Sequence, residues 1–218
     1  MSNFFCSSIG KKFVMSITGL FLVLFLLFHM SMNLVAVISL EAYDMVCEFL
    51  GANWYALVGT AVLAAGAVLH IVFAILLTWQ NMRARGPVGY QAPNKTETEW
   101  AAKNMFVLGI IVLGFIFMHL CHFWAKMQLV EMTCGEPAQG SELIVKIFSQ
   151  PLYIVLYLIW LAALWFHLTH GFWSALQTIG WNNNLWIPRL KAIACVVATI
   201  IACGFAAVPI YFFFFYNA

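Results

Sequence analysis

The sequence predicts an all-α integral membrane protein that crosses a bilayer about five times, and three observations carry that prediction. The 218-residue chain is 64% hydrophobic and only 8% charged, against roughly 25% charged in soluble domains. Five apolar segments are each long enough to cross about 30 Å of hydrocarbon, which takes roughly 20 helical residues. Basic residues gather on one side of those segments. Eighteen charges cannot cover a water-facing surface of this size, so the solvent for most of the chain is lipid. No internal repeat or low-complexity tract divides it, and residues 1–218 are read as one transmembrane domain.

The segments run over about 13–38, 54–80, 103–127, 150–178 and 190–215. The first has Lys11 and Lys12 before it, as a signal peptide would. It is too long for a signal h-region and no A-x-A site follows, so it reads as a retained helix. Polar or turn-rich stretches separate the segments: Glu41 to Asp44, Arg83 to Lys103 with Gly86, Pro87 and Pro93, Glu131 to Glu142 with Pro137 and Gly140, and Asn182 to Asn184. Small residues in the second and third segments (Gly59, Ala64, Ala65, Gly66, Gly109, Gly114) suit close approach of a backbone or a flat ligand.

Sidedness follows from the cations. Lys11, Lys12, Arg83, Arg85, Lys95, Lys103, Arg189 and Lys191 fall on the amino-terminal side, against Lys126 and Lys146 on the other. The amino terminus is therefore expected in the cytoplasm. Most acids (Glu41, Asp44, Glu48, Glu131, Glu136, Glu142) fall outside, with Glu97 and Glu99 inside. Trp54, Trp100, Trp124, Trp181 and Trp186 lie near segment ends, as an interfacial belt does. The six cysteines form neither a C-x-x-C pair nor a C-x-x-C-H motif, so no covalently attached haem is expected. Cys47 and Cys134 share the outer side, where a disulfide between them is conceivable.

All six histidines lie within apolar segments: His29, His70, His119 with His122, and His167 with His170. An ionisable ring at membrane depth is costly and marks a functional site by default. The plain alternative is a ring bonded to a neighbouring helix, but four helices carry histidines and the fifth carries none. Counted from the segment ends, His29, His119 and His70 lie 16 residues in and His167 17, about 24 Å along each helix. Because neighbouring segments run in opposite directions, His29 and His119 share an outer level, and His70 and His167 an inner one. The levels are roughly 10–15 Å apart. Two opposed imidazoles at one depth are what six-coordinate haem iron requires, so two b-type haems are expected. Zinc would want three or four ligands at one level. Spacing alone leaves open which member of each i, i+3 pair is the ligand. No Asp or Glu falls inside the segments as bounded here, and Glu48, just before the second, is the candidate for proton transfer at a quinone.

These residues resemble a known family. Ser16-Ile-Thr-Gly-Leu with His29 and Asn33, Leu69-His70-Ile71, Phe117-Met118-His119, and Phe166-His-Leu-Thr-His-Gly-Phe-Trp173 closing with Gly180-Trp181 are similar, in order and spacing, to the first four helices of one group. That group is the single-subunit, five-helix, di-haem cytochrome b anchors of succinate:quinone oxidoreductases, meaning succinate dehydrogenases and fumarate reductases. Pro151-Leu-Tyr153 also fits the fourth helix, whereas the fifth matches by hydropathy only.

The resemblance selects His167 over His170 and favours His119 over His122. It pairs His29 with His119 on the outer haem iron and His70 with His167 on the inner one. It implies Ser16 on an inner-haem propionate, Lys146 on an outer one, and Glu48 beside an outer menaquinone. In some members a glutamate of a transmembrane proton route stands where this chain has Trp165. The implied function is a membrane anchor passing electrons between an iron–sulfur subunit and menaquinone. A partner flavoprotein would carry the dicarboxylate chemistry on the cytoplasmic side of a bacterial inner membrane. No nucleic-acid partner is expected. The competing readings are a di-haem cytochrome of a hydrogenase or formate dehydrogenase, and a transporter with a histidine relay.

Overall fold

The computed structural model of the protein describes residues 7–51, 53–85, 99–181 and 183–216. Five helices are long and apolar enough to cross a membrane: Ser8–Ile38, Trp54–Ala84, Met105–Met132, Pro151–Thr178 and Trp186–Phe214. In chain order the elements are α1 (Ser8–Ile38), α2 (Leu40–Phe49), α3 (Trp54–Arg85), α4 (Trp100–Lys103), α5 (Met105–His119), a π-helical stretch (Leu120–Leu129), α6 (Val130–Met132), α7 (Gly140–Phe148), α8 (Pro151–Thr178) and α9 (Trp186–Phe214). No strand occurs among the described residues. Cys6, Pro87, Pro93, Lys95, Glu97 and Asn182 lie outside them.

Local chemistry sets the ends of these helices. Ser7 Oγ accepts from Gly10 N (3.0 Å) and begins α1 five residues before the expected start. Ser39 Oγ accepts from Ala42 N (3.2 Å), so the chain breaks after Ile38 and resumes as α2. Pro151 occupies the first turn of α8, where its missing N–H costs nothing. Gly180 follows α8 with φ +118°, a conformation open to glycine. Asn183 Oδ1 accepts from Leu185 N (3.1 Å) and Trp186 N (2.8 Å) at the start of α9.

Packing centres on α8, which lies against α1, α5 and α9, while α1 also packs on α3 and α9. The core is built from those contacts: Val23 of α1, Tyr157, Leu161 and Leu164 of α8, and Ala198, Ile201 and Phe212 of α9. By contrast, α3 and α5 make no substantial contact with each other. Elsewhere these helices present Ile, Val, Leu and Phe outward, as a lipid-facing surface does. Gly66 receives Phe21 of α1, so close that a Cβ there would come within 2.9 Å of its ring. Gly59 and Gly114 face open space.

Two expected loops are partly helical. α2 and α7 lie together beyond the ends of the spans, with Leu143, Ile144, Ile147 and Phe148 of α7 buried. Asp44 of α2 joins them: its Oδ1 accepts from Ser141 N (2.8 Å) and its Oδ2 from Ser141 Oγ (2.6 Å). A carboxylate at the first turn of α7 meets amides that lack helical acceptors and the positive end of the helix dipole. Cys47 and Cys134 are both free thiols, so the conceivable disulfide is not formed. Cys47 packs in α2 beside Tyr43 and Gly140, and burial pushes its thiol up to about 11. Cys134 is exposed in the turn after α6, with φ 61°. Asp44→Ala is expected to lower stability by about 1–2 kcal/mol, the range for a lost helix cap. Thermal unfolding in detergent measures this, and an unchanged midpoint would show that the cap contributes nothing.

Candidate functional site

The long helices bring the membrane histidines together in facing pairs. The rings of His29 (α1) and His119 (end of α5) have centroids 5.7 Å apart at 79°. Those of His70 (α3) and His167 (α8) are 6.4 Å apart at 67°. Along α1, His29 lies 11 residues beyond Thr18, which touches His70, a rise of about 16 Å between levels. His122 and His170 stand outside both pairs.

Aromatic rings close in on the first pair. Phe25 stacks on His29 at 5.2 Å and Phe205 of α9 lies 5.6 Å away. Phe123, Tyr157 and Trp160 surround His119 at 5.2, 6.4 and 6.4 Å. Asn33, one turn beyond His29, donates from its amide to the His29 carbonyl (2.8 Å) and lies 3.3 Å from the ring Nδ1. The second pair has a different lining, provided by small and hydroxyl groups. Thr18 Oγ1 is 3.3 Å from His70 Nδ1, and the same hydroxyl donates to Val14 O (2.8 Å). A Cβ on Gly19 would reach within 3.2 Å of the His70 ring, and one on Gly109 within 3.8 Å of His167. Glycine at 19 is therefore what lets α1 and the His70 ring share that space. Asn33, Thr18 and Gly19 were visible only as parts of the first-helix motif; their contacts with the rings were not foreseen.

His122 lies in the π-helical stretch that begins at Leu120. Residues three apart on a helix share a face. Both rings accordingly meet Tyr157 of α8, His119 at 6.4 Å and His122 at 6.1 Å. His122 Nδ1 lies 3.2 Å from Tyr157 OH, and its ring meets Tyr153 at 4.6 Å. Further along the same stretch, buried Gln128 accepts from Trp124 Nε1 (2.6 Å) and Thr60 Oγ1 (3.1 Å) and donates to Gly51 O (3.3 Å). Gln128 is thus a polar tie between the third span and α3 that the sequence reading missed. Its signal was a lone amide between Lys126 and Glu131 at the end of the third apolar segment.

The other expected residues fall as follows. Ser16 is buried and its hydroxyl donates to Lys12 O (2.9 Å) within α1. Lys146 is on the exposed side of α7. Glu48 is exposed at the end of α2, where Gly51 lies against its carbonyl and against the Glu131 carboxylate. Trp165 donates from Nε1 to Thr199 Oγ1 (2.9 Å), tying α8 to α9.

At the opposite end of the bundle, His170 Nδ1 lies 3.4 Å from Glu99 Oε2 and Lys191 Nζ lies 2.6 Å from Glu99 Oε1. Lys191 also sits 4.8 Å over the Trp173 ring. Glu99 thereby fastens α4 to α8 and α9.

The residues present fit a metal held by pairs. Among the described residues no three or more His, Cys, Asp or Glu side chains converge as a metal cluster. Two imidazoles on one ion, each bonded at about 2 Å as in known imidazole–metal sites, bring ring centroids to roughly 6 Å. The observed 5.7 and 6.4 Å agree with that spacing. The Nδ1 atoms of His119 and His167 are buried and have no hydrogen-bond partner among the described residues, a polar demand the polypeptide leaves unmet. The separation of α3 from α5 also leaves these two histidine-bearing helices free to flank a flat group. No family model, curated protein or solved structure matches the chain.

Burial pushes the Glu99 carboxyl up, but hydrogen bonds from Lys191 and His170 and their charges outweigh it and hold the group below the usual carboxylate range. A lowered folded value means that this tie is complete above the ordinary value of 4.5 and is lost as pH falls through the lowered one. Protection of the Lys103 amide, measured by hydrogen exchange relative to its intrinsic rate at each pH, should therefore fall in acid below about pH 4.5. Glu99→Gln should lower that protection at neutral pH. If α4 stays protected under both conditions, Glu99 does not hold it.

Proposed function

We propose that this chain is the di-haem membrane anchor and electron-transfer subunit of a succinate:menaquinone oxidoreductase or quinol:fumarate reductase. The observation that carries the proposal is the pair of facing histidine couples at two depths of one apolar bundle. The succession of first-to-fourth-helix motifs quoted above narrows it from di-haem cytochromes in general to this class.

In this reading His29 and His119 hold one haem iron, and His70 and His167 the other. Bound haem supplies reversible one-electron transfer. The chain's own residues do the rest. Phe25, Phe123, Phe205, Tyr157 and Trp160 keep water from the His29–His119 couple. Thr18 orients His70 at its ring Nδ1, and Asn33, bonded to the His29 carbonyl, lies against the His29 ring, the usual work of a second shell. Gly19 and Gly109 leave room beside the inner rings. Ser16 and Lys146 are the proposed propionate partners.

The end of the bundle with Lys11, Lys12, Arg83, Lys103, Arg189 and Lys191 is proposed to face the cytoplasm and an iron–sulfur subunit that connects to a flavoprotein. At the other end Glu48, with Glu131 nearby, is proposed to accept protons from menaquinol or return them to menaquinone. The membrane is proposed to be a bacterial inner membrane.

Purified protein should show two b-type haems per polypeptide in a reduced-minus-oxidised spectrum and by iron analysis. His167→Ala and His29→Ala should each remove one haem, whereas His122→Gln should retain both. A preparation without haem bands, or a His167→Ala variant that keeps both, would refute the assignment. Co-purification of flavin and iron–sulfur subunits separates this class from hydrogenase or formate dehydrogenase cytochromes. Glu48→Gln should slow quinol turnover while leaving both haems in place, and undiminished turnover would remove Glu48 from the mechanism.

A further inference from the structure

Behind the His29–His119 couple, on the side of α9, is a small cavity of about 40 Å³. Asn33, Tyr157, Trp160, Phe205, Val208 and Pro209 contribute to its walls. The indole N–H of Trp160 is buried and has no hydrogen-bond partner among the described residues. That group can only donate, and leaving it buried without an acceptor costs it a hydrogen bond.

A second unmet group comes from the backbone. α9 continues through Pro209, which has no N–H to offer the carbonyl four residues earlier, that of Phe205. Spanning helices tolerate an internal proline where a neighbouring side chain or an ordered water serves the freed carbonyl. Here the orphaned donor and the freed acceptor belong to residues that line one cavity. Its volume exceeds the roughly 10–15 Å³ that one water needs, and its polar groups supply the two to four partners required.

We propose that this cavity is a binding site for one or two ordered waters, which accept from Trp160 Nε1, donate to the Phe205 carbonyl and reach the Asn33 and Tyr157 side chains. The site has a functional consequence. Asn33 is already bonded to His29, and Tyr157 to His122, which is partly exposed. The waters join these two short polar links into one hydrogen-bonded line from the buried couple through α8 to His122. Every member of that line can carry hydrogen bonds without bearing a charge, which suits a lipid environment better than a carboxylate would. The inference rests on the cavity and its unmet donor and acceptor, and it holds whatever the facing histidines bind.

The test uses the full-length protein in lipid nanodiscs. The ultraviolet resonance Raman band of Trp160, isolated by difference against Trp160→Phe, should have the position of a hydrogen-bonded indole and should shift on transfer to D₂O. Val208→Phe, which fills the cavity, should convert it to the band of a free N–H and slow its exchange. A cryo-electron-microscopy map that resolves ordered water should show density in bonding reach of Trp160 Nε1 and Phe205 O. A free indole band in the wild type would overturn the proposal. So would a map in which Nε1 donates to a protein or haem oxygen, or in which a lipid chain fills the space. If Val208→Phe does not fold, the wild-type band and map decide.

Discussion

An imidazole in the middle of an apolar bundle has to meet a partner at its own depth, because lipid offers its ring nitrogens nothing to bond. Four of the six histidines face one another across the bundle in two couples, each of which keeps one ring nitrogen (His119 Nδ1, His167 Nδ1) without a partner among the described residues, and the packing around them follows. α8 lies against α1, α5 and α9, and α1 against α3 and α9. The two helices that carry His70 and His119 stay apart from each other. Had α3 and α5 closed on one another as tightly as α8 and α9 do, little width would remain between the couples. The small residues serve the same end, with Gly19 accommodating the His70 ring and Gly109 the His167 ring.

The remaining two histidines divide labour with their near neighbours. His122, in the π-helical stretch after His119, has its Nδ1 beside the Tyr157 hydroxyl. His170, one turn from His167, lies near the end of the bundle, where Glu99 and Lys191 provide a charged partner. Each of the two i, i+3 pairs therefore contains one ring facing its counterpart in the interior and one bonded to a group nearer the edge. Buried Gln128 and the Asp44 clasp on α7 complete the far end, tying the third span to α3 and the two short helices to each other.

Much of this was legible in the sequence. The five spans emerge from apolar length, since a helix in lipid must satisfy its own backbone and has little freedom in how long it is. The depth match between His29 and His119, and between His70 and His167, needed only the rise per residue and the alternation of direction. The structure departs from the reading where short-range chemistry decides. Ser7 starts α1 early and Ser39 divides it from α2. α7 forms in a stretch read as a loop, and Cys47 and Cys134 remain separate thiols.

By itself, then, the sequence determined that the chain is a five-span helical membrane protein with imidazoles at two depths, because both facts depend on linear quantities: apolar length and position along a helix. Only the tertiary structure decided which histidine of each pair faces inward, which helices stay apart, and which polar side chains reach the rings. Those outcomes depend on the rotation of each helix about its axis, which hydropathy does not specify. The π stretch carries His122, Lys126 and Gln128 and is less apolar than α5, but that composition does not by itself call for π turns. The contacts of Thr18, Asn33, Gln128 and Trp160 exist only once neighbouring helices have fixed that rotation against one another.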